Sequence, residues 1–581
     1  MENRRKFKIV VYVSIFILIM LVFSCLGKGI RLQRLEGNFV ISIIKSYRSI
    51  VSFHPFDLII GAIISAPIVA YIFFESKKAM KTATGEEYGD AKWGKSSDIK
   101  PFIDKDFFKN IIISKDIRLM TNNRPKNWKL QRNKNVKIQG STGQGKTRYI
   151  LKPNILQMNQ SYVVVDSKGT VMPEVAHAFE VNNYNIKVFN TINFYKSMHY
   201  DPLAYIRSEK DILSFTTTLI LNTEGDKPKP GTEDFWVKAE KLLYNAVIAY
   251  MFTSVAKEDR TLPKMIELLD MLTASEDEDE AGFSVLEIMF EILAEENPNC
   301  FAIRQWKKYK KASGKTAKSI LISCGTRLAP FDIKEIRNIC SYDEMCLDRI
   351  GIEKTILFLI ISDNDPTFNF LIAIMFSQMF TINMDLADDK YGGELPIPIQ
   401  IHIDEFYNVG TLPNFDKKIG TIRSRGLSAF IYLQSDEQLT AKYEKIAPVI
   451  SDNFDSYVYL GGGSPETVKK ISDALGKETV EVRNHSRSYG SQGSSSISYQ
   501  KTGRALMSPN KIREMPRDKM IYFLTGCSPF YTTKYDLTSH PNYKLTGDYD
   551  KKNMFDVEAY VKNRHKIKLK KSDQYDVIEV N

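Results

Sequence analysis

Two stretches near the start of the chain are almost free of polar positions. Residues 9–26 are broken only by Ser14 and Ser24, and residues 58–74 contain Gly61 and Pro67, which membrane helices tolerate better than soluble ones. Each is about long enough for a helix to cross a hydrocarbon core of ~30 Å. Arg4, Arg5, Lys6 and Lys8 precede the first stretch, and Lys77, Lys78 and Lys81 follow the second. Basic flanks favour the cytoplasmic face, so the pattern predicts a two-span anchor over residues 1–80 with both ends inside. Lys28, Arg31, Arg34, Lys45 and Arg48 in the connection weaken that bias. The first run is longer than a signal-peptide core and no small-residue cleavage site follows it, which favours a retained anchor. No run after residue 74 reads as a further span, so the rest of the chain is expected in the cytoplasm.

Beyond the anchor the pattern shortens. Residues 162–165, 355–361, 397–403 and 427–433 are brief apolar runs separated by stretches with helical spacing. That alternation predicts an α/β fold around a mostly parallel sheet covered on both faces. From about 205 to 345 strand signals are scarce, while 235–248 and 284–293 repeat apolar residues at helical intervals. Residues 486–499, rich in Ser and Gly, read as a flexible loop.

Composition narrows the class only slightly. With 581 residues, 43% hydrophobic and 26% charged, the chain is globular and large enough for several domains. A net charge of +11 suits a polyanion or an anionic membrane face without choosing between them. The six cysteines show neither a Cys-x-x-Cys pair nor zinc-ligand spacing, so reduced thiols are expected. Residues 304–311, with Lys315 and Lys318, mix bases with Trp306 and Tyr309. This is either a phosphate- and base-contacting segment or a solvated helix face with two core aromatics. The acidic run 276–280 and the basic residues Lys562, Arg564, Lys566, Lys568, Lys570 and Lys571 read first as solvated segments, with a basic partner and a polyanion or membrane face as the functional alternatives.

One segment carries specific chemistry. Gly140, Ser141, Thr142, Gly143, Gln144, Gly145, Lys146 and Thr147 match G-x-x-x-x-G-K-[ST] at every fixed position. Residues 135–138 read as a strand entering that loop, and a helix is expected from Thr147 until Pro153 ends or bends it. Glycines let backbone N–H groups curl around phosphate oxygens at a helix N-terminus. Lys146 would reach the β- and γ-phosphates of ATP, and the Thr147 hydroxyl would hold Mg²⁺. The strand at 397–403 runs directly into Asp404 and Glu405. Asp404 suits the metal, and Glu405 suits orienting or deprotonating the attacking water. Asp166 and Gln434 also follow apolar runs, and ligands gather at the carboxyl ends of parallel strands. Gln434 could sense the γ-phosphate or the water.

Taken in order, these residues resemble a family. Gly140 to Thr147, Asp166-Ser-Lys-Gly169, Asp404-Glu-Phe-Tyr-Asn-Val-Gly410 with Leu412-Pro413, Arg423-Ser-Arg425 to Gln434-Ser435, Gly461-Gly-Gly463, Tyr88-Gly89 with Trp93, and Arg513-Glu-Met-Pro516 are similar to the type IV secretion coupling proteins, the TraG/TraD family. The likeness covers about 85–545. It implies a RecA-like P-loop ATPase domain in two parts, 81–204 and 346–545, with an inserted all-α domain at 205–345 and a charged tail at 546–581. It also implies a homo-hexamer in the cell membrane that couples DNA, expected single-stranded, and its bound relaxase to the type IV secretion channel proteins. By similarity Arg423 lies where such motors present an arginine to the neighbouring subunit's site, with Arg425 the competitor. The family usually has Asp-Pro-Lys-Gly-Glu where this chain has Asp166-Ser-Lys-Gly-Thr170. Two other functions fit the motifs: a nucleotide-binding docking scaffold with little hydrolysis, and an FtsK-type partition motor, although no DNA-reading winged helix is recognised near the C-terminus.

Overall fold

The computed structural model describes residues 2–36, 42, 44, 46, 51–79, 88–223, 234–272, 284–312, 314–487 and 495–572. They fall into two compact units, 1–91 with 476–506, and 92–475 with 507–581. The acidic run 276–280 lies outside the described residues.

In the first unit two helices, α1 (Glu2–Glu36) and α2 (Pro55–Ala79), pack antiparallel. Small residues set their approach. A Cβ on Gly27 would stand 2.5 Å from the Asp57 Cα, and one on Gly61 would stand 2.4 Å from the Met20 carbonyl oxygen. The apolar lengths are Val13–Gln33 and Pro55–Ile72, with mean hydropathies of 2.3 and 1.9. They fit a two-helix membrane anchor. The first overlaps residues 9–26, and α1 continues without a break through Lys28 and Arg31. Arg31 is not a loose loop charge: it donates to the buried Asp57 carboxylate at 2.9 Å, which also accepts from the Ser52 hydroxyl at 2.6 Å.

The same unit contains a second hairpin, β10 (Lys477–Arg487) with β11 (Ser495–Ala505). Much of the segment expected to be a flexible loop is therefore paired strand. The ladder runs from Lys477↔Ala505 to Arg487↔Ser495. Ser and Gly bring little surface to bury, but ladder hydrogen bonds need only backbone, which composition does not report.

The second unit is built on a nine-stranded sheet. A short hairpin precedes it, β1 (Asn110–Ile112) with β2 (Arg118–Met120). The sheet strands are β3 (Val136–Gln139), β4 (Ser161–Asp166), β5 (Asn185–Asn190), β6 (Thr355–Ile360), β7 (Ile399–Ile403), β8 (Leu427–Leu433), β9 (Ser456–Tyr459), β12 (Lys519–Leu524) and β13 (Phe530–Thr533). Their order is β13-β12-β9-β3-β8-β7-β4-β6-β5. From β9 to β5 every neighbour is parallel, and β12 and β13 add an antiparallel edge. Strands β4, β6, β7 and β8 are buried along their whole length, which is why they read as apolar runs rather than alternations.

Between β5 and β6 the described residues contain helices and no strand, among them Glu209–Thr223, Asp234–Ser254, Val285–Glu296, Phe301–Tyr309 and Gly314–Leu328. Trp306 and Tyr309 are buried, and Trp306 stacks on Phe290 at 4.1 Å. They are core residues and offer no face to a base.

The helix Asn369–Lys390 is a correction to the reading of the later chain. It has the length of a span and a mean hydropathy of 1.5, yet 72% of that stretch is buried inside the body. A helix that buries most of its surface in protein is rich in apolar residues, so length and hydropathy alone do not separate it from a membrane helix. Among the described residues the charged C-terminal stretch includes a helix. Helix Val557–Ser572 seats on the sheet margin, where the Tyr560 hydroxyl and the Arg564 guanidinium both donate to the carbonyl of Ile186, at 3.1 Å each.

Candidate nucleotide site

Strands β3, β8 and β7 are consecutive neighbours, with Gln139 opposite Leu433 and Ile403 opposite Ile431. The loops that begin at Gly140, Gln434 and Asp404 therefore leave one sheet edge side by side. Parallel strands sit about 4.8 Å apart, so the first and third loops face each other across roughly 10 Å.

The first loop is shaped by its glycines. Gly143 and Gly145 have φ of +81° and +80°, where a side chain would be strained. A Cβ on Gly145 would also stand 2.4 Å from the Tyr149 ring. After Lys146 the chain makes a π-helical turn, Thr147–Leu151, before the α-turn Lys152–Ile155. Pro153 thus opens the α-turn instead of ending a helix, as a proline can in a first turn. Two supports had no signal in the local sequence. The Gly461 carbonyl accepts from Ser141 N–H at 3.2 Å, and the Lys534 ammonium donates to the Gln144 carbonyl at 3.0 Å.

The predicted side chains meet. Lys146 Nζ is 3.2 Å from Glu405 Oε1, and Gln434 Nε2 donates to Glu405 Oε2 at 3.2 Å. Thr147 Oγ1 donates to Asp404 Oδ2 at 3.0 Å. Burial, and then the charge of Glu405, push the Asp404 carboxyl up to about 6. Its second oxygen, Oδ1, is buried without a hydrogen-bond partner. A carboxylate oxygen in that condition is unfavourable unless a cation or its water takes the lone pairs, so this donor set fits Mg²⁺. Glu405 holds a left-handed φ of +53°, a strained conformation for a non-glycine residue that aims its carboxylate back at Lys146. Lys146, Thr147, Asp404 and Glu405 line a cleft of about 250 Å³ together with Ser167 and Lys168. Asp166 is turned differently. Its carboxylate accepts from the N–H groups of Lys168 and Val171 and fixes the local turn.

The two arginines lie elsewhere. Arg423 and Arg425 precede β8, at the edge opposite Gln434. Arg425 grips Asp388 through Nε at 2.9 Å and Nη2 at 2.6 Å. Among the described residues Arg423 has no ion pair or hydrogen bond from its side chain.

A family profile described as type IV secretory system conjugative DNA transfer matches residues 104–553 of this chain. The chain belongs to that family. It is a type IV coupling protein of the TraG/TraD/VirD4 kind. Protein VirD4 of Rhizobium radiobacter is 25% identical over 405 residues, which cover 68% of this chain and 55% of that one. The type IV secretion system-coupling protein VirD4 of Bartonella henselae is 22% identical over 411 residues, 67% and 60% of the two chains. This coupling protein thus spans little more than half the length of the curated relatives it matches. Among solved structures, the plasmid coupling protein TrwB in complex with the non-hydrolysable ATP analogue ADPNP has a TM-score of 0.55 at 15% identity, covering 78% of this chain and 96% of that one. TrwB in complex with ADP and Mg²⁺ gives 0.55 at 16%, covering 78% and 95%. At this identity the coupling protein shares their fold.

Proposed function

We propose that this coupling protein is a membrane-anchored ATPase that drives DNA, with its bound relaxase, into a type IV secretion channel. The observation that carries the reading is the interlocked set Lys146–Glu405–Gln434 and Thr147–Asp404 at one sheet edge. In this reading the glycine-shaped loop from Gly140 to Thr147 holds the phosphates of ATP, and Lys146 leaves Glu405 for the β/γ oxygens. Glu405 then orients and deprotonates the attacking water, and Gln434 steadies Glu405. Thr147 and Asp404 would hold Mg²⁺, which when bound neutralises phosphate charge.

Arg423 acts on the neighbour in a ring, expected to be a hexamer. Strand β8 is seven residues long, about 23 Å at ~3.3 Å per residue, so an arginine before it cannot reach phosphates beyond its far end. Arg425, tied to Asp388, is the weaker candidate. The anchor leaves the bulk of the chain in the cytoplasm, where ATP and single-stranded DNA are available.

The test uses the full chain in lipid vesicles and reads phosphate release with and without single-stranded DNA. DNA-stimulated turnover that disappears in Lys146→Ala supports the motor. Nucleotide binding without turnover would leave the docking scaffold, and indifference to nucleotide would end the proposal.

A further inference from the structure

The loop after Glu405 opens with a short 3-10 turn, Phe406–Val409, which makes bonds of its own. One is the Asn408 N–H to the Glu405 carbonyl, at 2.8 Å. Side chains from outside hold several further backbone groups of this loop. Lys442 donates to the carbonyls of Phe406 and Tyr407 at 3.0 and 2.9 Å, and the Tyr443 hydroxyl accepts from Leu412 N–H at 3.2 Å. Both belong to the segment that follows β8, close in sequence to Gln434.

The remaining clip comes from the helical segment between β5 and β6. Asn222, in the last turn of helix Glu209–Thr223, takes both backbone groups of Thr411. Its Oδ1 accepts from Thr411 N–H at 2.6 Å, and its Nδ2 donates to the Thr411 carbonyl at 2.9 Å. Gly410 permits the approach: with φ +73°, a Cβ there would meet Asn222 Oδ1 at 2.6 Å and the Ala373 Cβ at 3.0 Å. The turn that carries Asn222 is itself tied to two further helices of the segment. Arg327 donates to the Ile220 carbonyl at 3.0 Å and to the Thr223 hydroxyl at 3.2 Å. It is also paired with the buried Glu240 at 2.7 Å.

A run of hydrogen bonds and an ion pair therefore links helices Asp234–Ser254 and Gly314–Leu328 to Thr411, on the loop that begins at the strained residue facing Lys146. We propose that Asn222 is a positioning residue for hydrolysis: by clipping Thr411 it holds the loop that aims Glu405, so the helical segment sets the turnover rate. This rests on the ATPase reading above. Asn222 touches neither nucleotide nor Glu405, and a side-chain amide is suited to the task because it mimics a peptide group and pairs with both N–H and C=O at once.

Asn222→Ala removes both bonds. Asn222→Asp keeps the shape and the acceptor but sets a carboxylate against the Thr411 carbonyl, so it serves where the alanine variant fails to fold. In the full chain both should lower kcat by about 10–100-fold, the scale of misplacing a catalytic group by an ångström, with KM for ATP unchanged. Hydrogen exchange over 406–412 should quicken while β3 and β7 keep their protection. Turnover within about twofold of the parent, a KM that moves in step with kcat, or unchanged exchange over 406–412 would each overturn the proposal. A parent protein with no Lys146-dependent turnover would defeat the ATPase reading instead, and the exchange comparison would still decide whether Asn222 holds the loop.

Discussion

The two ends of the parallel strands handle charge in opposite ways. At the carboxyl end Lys146, Glu405, Gln434, Thr147 and Asp404 satisfy one another within a single chain, apart from one oxygen of Asp404. At the amino end Arg425 is locked on Asp388, and Lys134 is buried with its ammonium pulled down to about 8 by burial. Arg423 is the arginine there without a partner among the described residues. The difference teaches where a ligand and where a second subunit would be needed. Groups that already neutralise each other can exchange partners for a phosphate at modest electrostatic cost, whereas an uncommitted arginine at the far edge has no phosphate of its own to serve.

The sharpest way to break this comparison is Lys146→Ala, which should reduce ATP turnover about 10³-fold or more while membrane insertion persists. Retained turnover would mean that the carboxyl edge is not the site. Arg423→Ala should also cost about 10³-fold, at the low end for an arginine acting across subunits. Mixing it with Lys146→Ala subunits should restore part of the activity, because each mixed interface can pair an intact arginine with an intact cleft. No recovery from assembled mixtures would remove the trans role. Glu405→Gln should lower kcat by about 10²-fold with nucleotide still bound, and DNA-stimulated turnover that survives it would shift the base elsewhere.

Smaller effects sharpen the contrast at the amino edge. Arg425→Ala should leave turnover intact and lower stability by at most about 1 kcal/mol, since its pair with Asp388 is partly exposed. Turnover falling as far as in Arg423→Ala would reassign the trans arginine. For Lys134 the sign follows from linkage. Its folded pKa of about 8 lies below the ordinary 10.5, so between those values the unfolded chain holds more protons and stability rises with pH. The Tm of the parent relative to Lys134→Met should therefore climb as pH passes from 8 toward 10.5; a flat difference would mean the ammonium is solvated.

Much of the cleft was legible because its signals are local. A P-loop is a contiguous pattern, and Asp404-Glu405 follows an isoleucine run that only a buried strand explains. Strands β4, β6, β7 and β8 were visible for the same reason, since burial on both faces removes every polar position. The short β9, β12 and β13 were not, nor was the β10–β11 hairpin, whose stability lies in backbone pairing. Helix Asn369–Lys390 escaped for a different reason: it is apolar over most of its length, and hydropathy does not say whether lipid or protein surrounds it.

The sequence by itself determined the chemistry available: a phosphate-cradling loop, two carboxylates after a buried strand, a glutamine after another, and two arginines a few residues before that one. Only the tertiary structure decided which groups meet. The insertion of β8 between β3 and β7 brings Gln434 to Glu405 and sends Arg423 to the opposite edge, and Asn222 reaches Thr411 from 189 positions away. Strand order and contacts between distant segments arise from burying all the layers at once, and no local pattern of residues encodes that result.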